Sequence, residues 1–197
     1  MEAIYRILWC ISWPFVNILY PRKVYGRENV PGAGAYLFCA NHSSSTDPFL
    51  LAYSVGVKNQ VHFMAKAELF RIPLVGLLLR AAGMFPVDRK GGGAAAVKGA
   101  MKLLKADKKV GMFPEGTRVT AEEESAAKAG AVRLSARMNA PIVPVYIPRN
   151  KKPFRRNKIV IGKPYDIGLE KSASSEEFDQ AANDLMAKIR ELGESVQ

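Results

Sequence analysis

The sequence predicts an α/β domain, a largely parallel or mixed sheet flanked by helices, with an interfacial helical segment at its N-terminus. Three observations carry that expectation. Short apolar runs of strand length alternate with runs of helical length from residue 35 to residue 193, the pattern of stacked βα units. The connections are short, and neither an internal repeat nor a long linker divides the chain. With 197 residues, 48% hydrophobic and 24% charged, the chain can bury one core and is too apolar to remain disordered.

Residues 4–20 (IYRILWCISWPFVNILY) open the chain. They are apolar but contain Arg6 and Pro14, and they fall short of the roughly 20 residues a spanning helix needs. Tyr20, Pro21, Arg22 and Lys23 follow, where a signal peptide would have small residues at a cleavage site. Trp9, Trp13 and Tyr20 suit the headgroup boundary, and Arg22 and Lys23 suit anionic lipid. Residues 1–24 are therefore expected to lie in one leaflet; the alternative is a terminal helix packed on the protein's own core.

The elements of the domain at 25–197 come in order. Residues 35–40 (AYLFCA) read as a buried strand, and Pro48 suits the first turn of a helix over 48–55. Residues 61–66 (VHFMAK) are a second strand. Residues 69–83 (LFRIPLVGLLLRAAG) are helical by length and apolar density, with Gly83 as a stop. Residues 84–88 (MFPVD) are an edge strand, because Pro86 cannot donate to a ladder. A glycine loop then enters a helix ending near 109, with Val97, Met101 and Leu104 on one face. Residues 110–113 are a strand and 125–138 a helix. Strands at 141–147 and 158–162 and a polar helix at 175–193 complete the domain.

A net charge of +11 points to an anionic partner: nucleic acid, an acidic membrane surface or a phosphorylated substrate. Cys10 and Cys39 both sit in apolar runs outside any C-x-x-C, which argues against a disulfide framework or a zinc site and fits a reducing compartment.

Candidate chemistry begins at CANHSSSTDPFLLAY, residues 39–53. His42 follows the strand at 35–40, and in α/β sheets reactive groups collect where strands end. A neutral imidazole removes a proton from an alcohol near pH 7 when its other nitrogen is held by an acceptor. Asp47 can fold back to be that acceptor, since the residues between are small; equally, Asp47 before Pro48 makes a good helix N-cap. His62, in mid-strand, reads as structural.

The second stretch, VGMFPEGTR at 110–118, runs a strand into a turn. Gly116 permits a tight turn or close approach to a ligand. Arg118 offers a planar fork for phosphate, and Glu115 can accept from a substrate hydroxyl or steady basic side chains. The same two residues would also make an ordinary surface ion pair. Taken together, the stretches supply a base, its orienter and an anion clamp.

On these motifs the chain resembles the glycerophospholipid acyltransferase family, in particular its bacterial 1-acyl-sn-glycerol-3-phosphate acyltransferases. NHSSSTDP (41–48) is similar to the N-H-x4-D block, KAELFRIPLVGLLLRAAGMFPVDR (66–89) to the second block, FPEGTR (113–118) to the third and PIVPV (141–145) to the fourth. YGRENVP (25–31) resembles the usual lead-in. After Arg118 the chain departs from the family, with Val119, Thr120 and the acidic AEEES (121–125), while KAG (128–130) keeps part of the pattern.

The resemblance implies a glycerol-3-phosphate acyltransferase-like fold for the domain at 25–197 and an enzyme of phospholipid biosynthesis. In it, His42 with Asp47 would deprotonate the sn-2 hydroxyl of lysophosphatidic acid, which attacks an acyl thioester to give phosphatidic acid. It further implies that Arg118 and Lys66 hold the glycerol phosphate, that Glu115, Gly116 and Thr117 shape that site, and that Arg89 either joins them or pairs with Asp88. The implied partners are the membrane lipid substrate, an anionic membrane surface, and acyl-CoA or acyl carrier protein as acyl donor. No cofactor, metal or nucleic acid is expected. The implied place is the cytoplasmic face of the cell membrane, in peripheral or monotopic attachment.

Another acceptor is the main alternative: glycerol 3-phosphate, a different lysophospholipid or a lyso-aminolipid. A non-catalytic basic protein that binds membrane or nucleic acid is more distant, since the basic run RNKKPFRRNK (149–158) has only Phe154 among its cations. That run is expected near the membrane, where each charge contributes about 1 kcal/mol toward anionic lipid; a solvated loop is its plainer reading.

Overall fold

The apolar runs become strands because both of their faces are covered, as a parallel sheet requires. The computed structural model describes residues 2–87, 94–119 and 127–196. Helix α1 (Glu2–Leu19) leads to β1 (Arg22–Tyr25), β2 (Tyr36–Ala40), α2 (Asp47–Val55), β3 (Val61–Lys66), α3 (Pro73–Ala81) and β4 (Phe85–Val87). Helix α4 (Ala94–Leu104), β5 (Lys109–Met112), α5 (Gly130–Met138), β6 (Ile142–Tyr146), β7 (Asn157–Ile161) and α6 (Ser175–Glu194) complete the chain.

The strands form one seven-stranded sheet in the order β1-β7-β6-β2-β5-β3-β4. Every neighbouring pair is parallel except β6 with β7. Side chains alternate across the sheet with the two-residue period of a strand. Leu37 and Cys39 of β2 face a core completed by Ala100 and Leu104 of α4, Val132 and Leu134 of α5, and Leu185 and Ile189 of α6. Phe38 and Ala40 face the opposite core, with Leu50, Leu51 and Val55 of α2. Helix α6 starts at a capping box, in which Ser174 and Glu177 satisfy each other's backbone N–H groups.

Several expectations need correction. The helix expected over 69–83 is two pieces: a 3-10 turn at Ala67–Arg71, then α3 from Pro73. Ile72 between them is extended (φ −77°, ψ 118°), the conformation a following proline imposes. Strand β1 is not among the expected strands, and it runs across the expected division at residue 24. On α4 the buried positions are Ala96, Ala100 and Leu104, while Val97 is exposed. Helix α5 starts at Gly130, and the expected start at 125 lies outside the described residues. Strand β4 is an edge strand, as Pro86 demands.

Helix α1 lies against the domain along one face. Tyr5 is buried, the Trp9 ring sits 5.0 Å from that of Tyr53, Ser12 hydrogen-bonds the Tyr53 hydroxyl, and Val16 and Tyr20 pack against the α2-side core. Its other face exposes Ile4, Ile7, Ile11, Phe15 and Ile18, at helical spacing. Helix α3, in contact with α1, exposes Leu74, Leu77 and Leu78. Among the described residues no helix is long and apolar enough to cross a membrane.

Candidate functional site

Topology assembles the site before any side chain is considered. Strand β2 lies between β6 and β5, parallel to both, with Ala40 level with Val145 and Cys39 level with Met112. The C-terminal ends of the three strands therefore open on the same edge, where α/β sheets place their ligands. From β2 comes His42, from β5 the turn Phe113–Arg118, and from β6 the start of the basic run.

His42 Nδ1 stands 2.9 Å from Asp47 Oδ2, and its side chain is 14% exposed while that of Asp47 is fully buried. Asp47 Oδ2 also accepts the backbone N–H groups of Ser43 and Ser44, each at 2.7 Å. These N–H groups precede α2, so the carboxylate serves the loop and the imidazole rather than capping its helix. With the carboxylate accepting from Nδ1–H, the Nε2 lone pair is left for a substrate proton. Burial pushes the Asp47 carboxyl up, but hydrogen bonding from His42 and Lys151, the Lys151 charge and the Ser44 N–H outweigh it. The net effect holds Asp47 below the ordinary carboxylate range.

Phe113 stacks on the His42 ring, centroids 4.1 Å apart, and Phe63 stacks behind it at 6.1 Å. Gly111 makes room for that layer: a Cβ there would stand 2.1 Å from the Phe63 ring. The imidazole is thus fixed on one face by packing and at one nitrogen by Asp47.

Glu115 holds the backbone beneath the base. It is about 1% exposed, and its Oε2 accepts the His42 N–H at 2.7 Å. Its Oε1 is ion-paired with Arg149, which also donates to Val119 O at 2.9 Å. Val119 N–H in turn donates to His42 O at 2.8 Å. Both Glu115 oxygens are therefore taken by the protein, and it performs the second of its expected roles, steadying a basic side chain. Gly116 turns the chain at φ 70°, in the left-handed region.

His42 forms part of the wall of a cleft of about 320 Å³. Lys66, Gly116 and Lys128 line it with His42, while Phe63, Met64, Val87 and Met112 give it an apolar side. Thr117 and Arg118 are exposed on the adjoining turn and do not line the cleft. Arg89 and Asp88 lie outside the described residues. His62 stands apart, its Nδ1 2.7 Å from Gly83 O and its Nε2 buried with no partner among the described residues. Among the described residues no group of three or more His, Cys, Asp or Glu is placed to hold a metal ion.

Three cations that the motifs do not single out also belong to the site. Lys128 lines the cleft, Arg149 pairs with Glu115, and Lys151 pairs with Asp47, Nζ to Oδ1 2.7 Å. Two of the six cations in 149–158 are therefore turned inward onto carboxylates. The available signal was the strand order. PIVPV leads on to Arg149, and a strand parallel to β2 and beside it must deliver its C-terminal extension to the neighbourhood of His42.

A family model described as Acyltransferase matches residues 21–148. A 1-acyl-sn-glycerol-3-phosphate acyltransferase of Bacillus subtilis is 34% identical over 176 residues, covering 86% of this chain and 87% of that one. Its namesake in Streptococcus pneumoniae is 31% identical over 195 residues, covering 95% of this chain and 69% of that one. The crystal structure of the 1-acyl-sn-glycerophosphate acyltransferase PlsC from Thermotoga maritima superposes with a TM-score of 0.72 at 23% identity. That match covers 98% of this chain and 79% of that one, and at such identity it speaks for the fold.

Proposed function

The chain belongs to the acyltransferase family, and on that premise we propose that it transfers an acyl group from an acyl thioester to the sn-2 hydroxyl of 1-acyl-sn-glycerol 3-phosphate, giving phosphatidic acid. The observation that carries the reading is the His42–Asp47 pair, 2.9 Å apart, in the wall of a cleft that is cationic at Lys66 and Lys128 and apolar elsewhere. Such a cleft suits a substrate with a phosphate at one end and acyl chains at the other.

In the proposed reaction His42 Nε2 takes the hydroxyl proton as the alcohol oxygen attacks the thioester carbonyl. Asp47 holds the resulting imidazolium in place and offsets its charge. The tetrahedral intermediate collapses to phosphatidic acid and releases the thiol of coenzyme A or of an acyl carrier protein, which takes up the proton. Lys66, Lys128 and, from the adjoining turn, Arg118 bind the phosphate. Base and anion clamp are both side chains, so the reaction calls for no cofactor or metal.

The proposed place of work is the cytoplasmic surface of the cell membrane, in peripheral attachment. The apolar faces of α1 and α3 support this, being exposed side by side where an aqueous surface would be polar. The basic loop supports it as well. Phe154, exposed at its tip, donates its N–H to Leu19 O at 2.8 Å, which fastens the cations of 152–158 to the end of α1.

The test is a matrix of acyl donors against acceptors with the intact protein in mixed micelles. We expect turnover with 1-acyl-sn-glycerol 3-phosphate and a loss of nearly all of it in His42→Ala with folding retained. A strict preference for phosphate-free acceptors would overturn the assignment of substrate.

A further inference from the structure

We propose that Lys151 is a positioning residue for acyl transfer, fixing the Asp47 carboxylate from the side away from His42 and thereby setting the aim and the basicity of the imidazole. The proposal deepens the reading above and rests on it, since His42 is taken as the base.

Lys151 is an unusual lysine. Its side chain is only 4% exposed, and lysine is almost never buried unless it is paired. Nζ stands 2.7 Å from Asp47 Oδ1 and donates to Ser43 Oγ at 2.6 Å and Pro148 O at 3.2 Å. Three oxygens thus surround the ammonium, the hydroxyl and the carbonyl as hydrogen-bond acceptors and the carboxylate as its ion-pair partner. They belong to the helix that carries Asp47, the loop that carries His42 and the segment that carries Lys151 itself, so the ammonium joins all three.

The carboxylate divides its oxygens accordingly. Oδ2 receives His42 Nδ1 and the N–H groups of Ser43 and Ser44, while Oδ1 faces Lys151. An uncompensated carboxylate in so dry a position would either take up a proton, and cease to orient His42, or hold a proton on the imidazole too firmly. Lys151 prevents both. It keeps Asp47 ionised, and its positive charge offsets part of the pull of Asp47 on the imidazolium.

The other charges around the pair have different attachments. Glu115, from the turn after β5, meets the backbone N–H of His42 and is balanced by Arg149 from the segment after β6. Lys66 at the end of β3 and Lys128 ahead of α5 line the cleft in front of the imidazole. Lys151 alone among these is paired with Asp47.

The experiment tracks the pH dependence of kcat/KM in the full chain for Lys151→Met and Lys151→Arg, together with an NMR titration of the imidazole. The chain has only two histidines, so the His42 signals are assigned by comparison with His42→Ala. In Lys151→Met the acid limb and the His42 titration should both move up by about one pH unit, the scale of a lost neighbouring charge, and the plateau should fall about tenfold. Lys151→Arg should return both toward their original positions. If Lys151→Met does not fold, Lys151→Gln, which retains a donor but not the charge, should show the same upward move. An unchanged His42 titration in a folded Met or Gln variant overturns the proposal, as does equal loss with Met and Arg at an unmoved limb. The NMR titration reads Lys151 whether or not His42 is the base, and turnover retained in His42→Ala would sink the base assignment by itself.

Discussion

The main-chain N–H of His42 donates to Glu115 Oε2 at 2.7 Å, tying the end of β2 to the turn after β5. A buried carboxylate that holds the backbone of the base acts on its placement without touching substrate. Glu115→Ala leaves this N–H unmet and Arg149 without its partner. Since Arg149 keeps some solvent contact, the cost should be about 2–4 kcal/mol, read as a lowered melting temperature together with reduced kcat. Glu115→Gln keeps an acceptor for the N–H and should recover part of both. Equal stability of Ala and Gln variants would count against this role.

Arg118 lies one residue before Val119, whose N–H meets His42 O at 2.8 Å, so the exposed guanidinium is carried on a turn anchored to the base. Removing a side chain that binds phosphate equally in ground and transition states raises KM more than it lowers kcat. Arg118→Ala should raise the KM for the phosphorylated acceptor about tenfold or more, with Lys66→Ala adding to it. Unchanged KM in Arg118→Ala would remove it as a clamp.

His62 gives a pH prediction with a definite sign. Burial lowers its basicity more than the Gly83 carbonyl raises it, and a nearby Lys108 charge lowers it further. Its second proton would have to sit on Nε2, which is buried with no partner among the described residues. The unfolded chain binds that proton near pH 6.5 and the folded chain only below it. Stability should therefore fall as the pH drops beneath 6.5, by up to about 1.4 kcal/mol per unit, and level off below the folded value. Asp47 acts in a lower window. Its depressed folded value contributes stability above the ordinary carboxylate range of about 3.9, lost as pH falls through and below it. Chemical denaturation between pH 7 and pH 5 should show the His62 slope, and His62→Gln should flatten it; an identical slope in the variant would refute the cause.

Much of this arrangement was legible in the chain because the apolar period is strong where both faces are buried. Tyr36–Ala40 and Val61–Lys66 declare themselves by composition, and His42 by its place after the first of them. Strand β1 did not: two of its four residues are cations, and its edge position rests on main-chain pairing with β7 rather than on an apolar pattern. The break at Ile72 was available from Pro73 and was masked by the apolar density around it. The roles of Arg149 and Lys151 are a matter of strand order. Six cations crowd residues 149–158, and which of them turn inward depends on β6 lying beside β2, a long-range pairing no local pattern contains.

The outward face of α1 provides the last test. Ile7 and Ile11 are both exposed, one turn apart, and on the side of the helix away from Tyr5 and Trp9. Glutamates at these two positions should cost the fold little, within about 0.5 kcal/mol each for exposed sites. In a lipid interface they would meet hydrocarbon and anionic headgroups, both unfavourable. Ile7→Glu with Ile11→Glu should lower sedimentation with anionic liposomes more than tenfold while leaving the melting temperature nearly unchanged. The basic loop tied to Leu19 keeps its charge in this variant, so any binding that survives and vanishes with salt belongs to the loop. Undiminished, salt-resistant sedimentation would show that the helix face is not what holds the protein at the membrane.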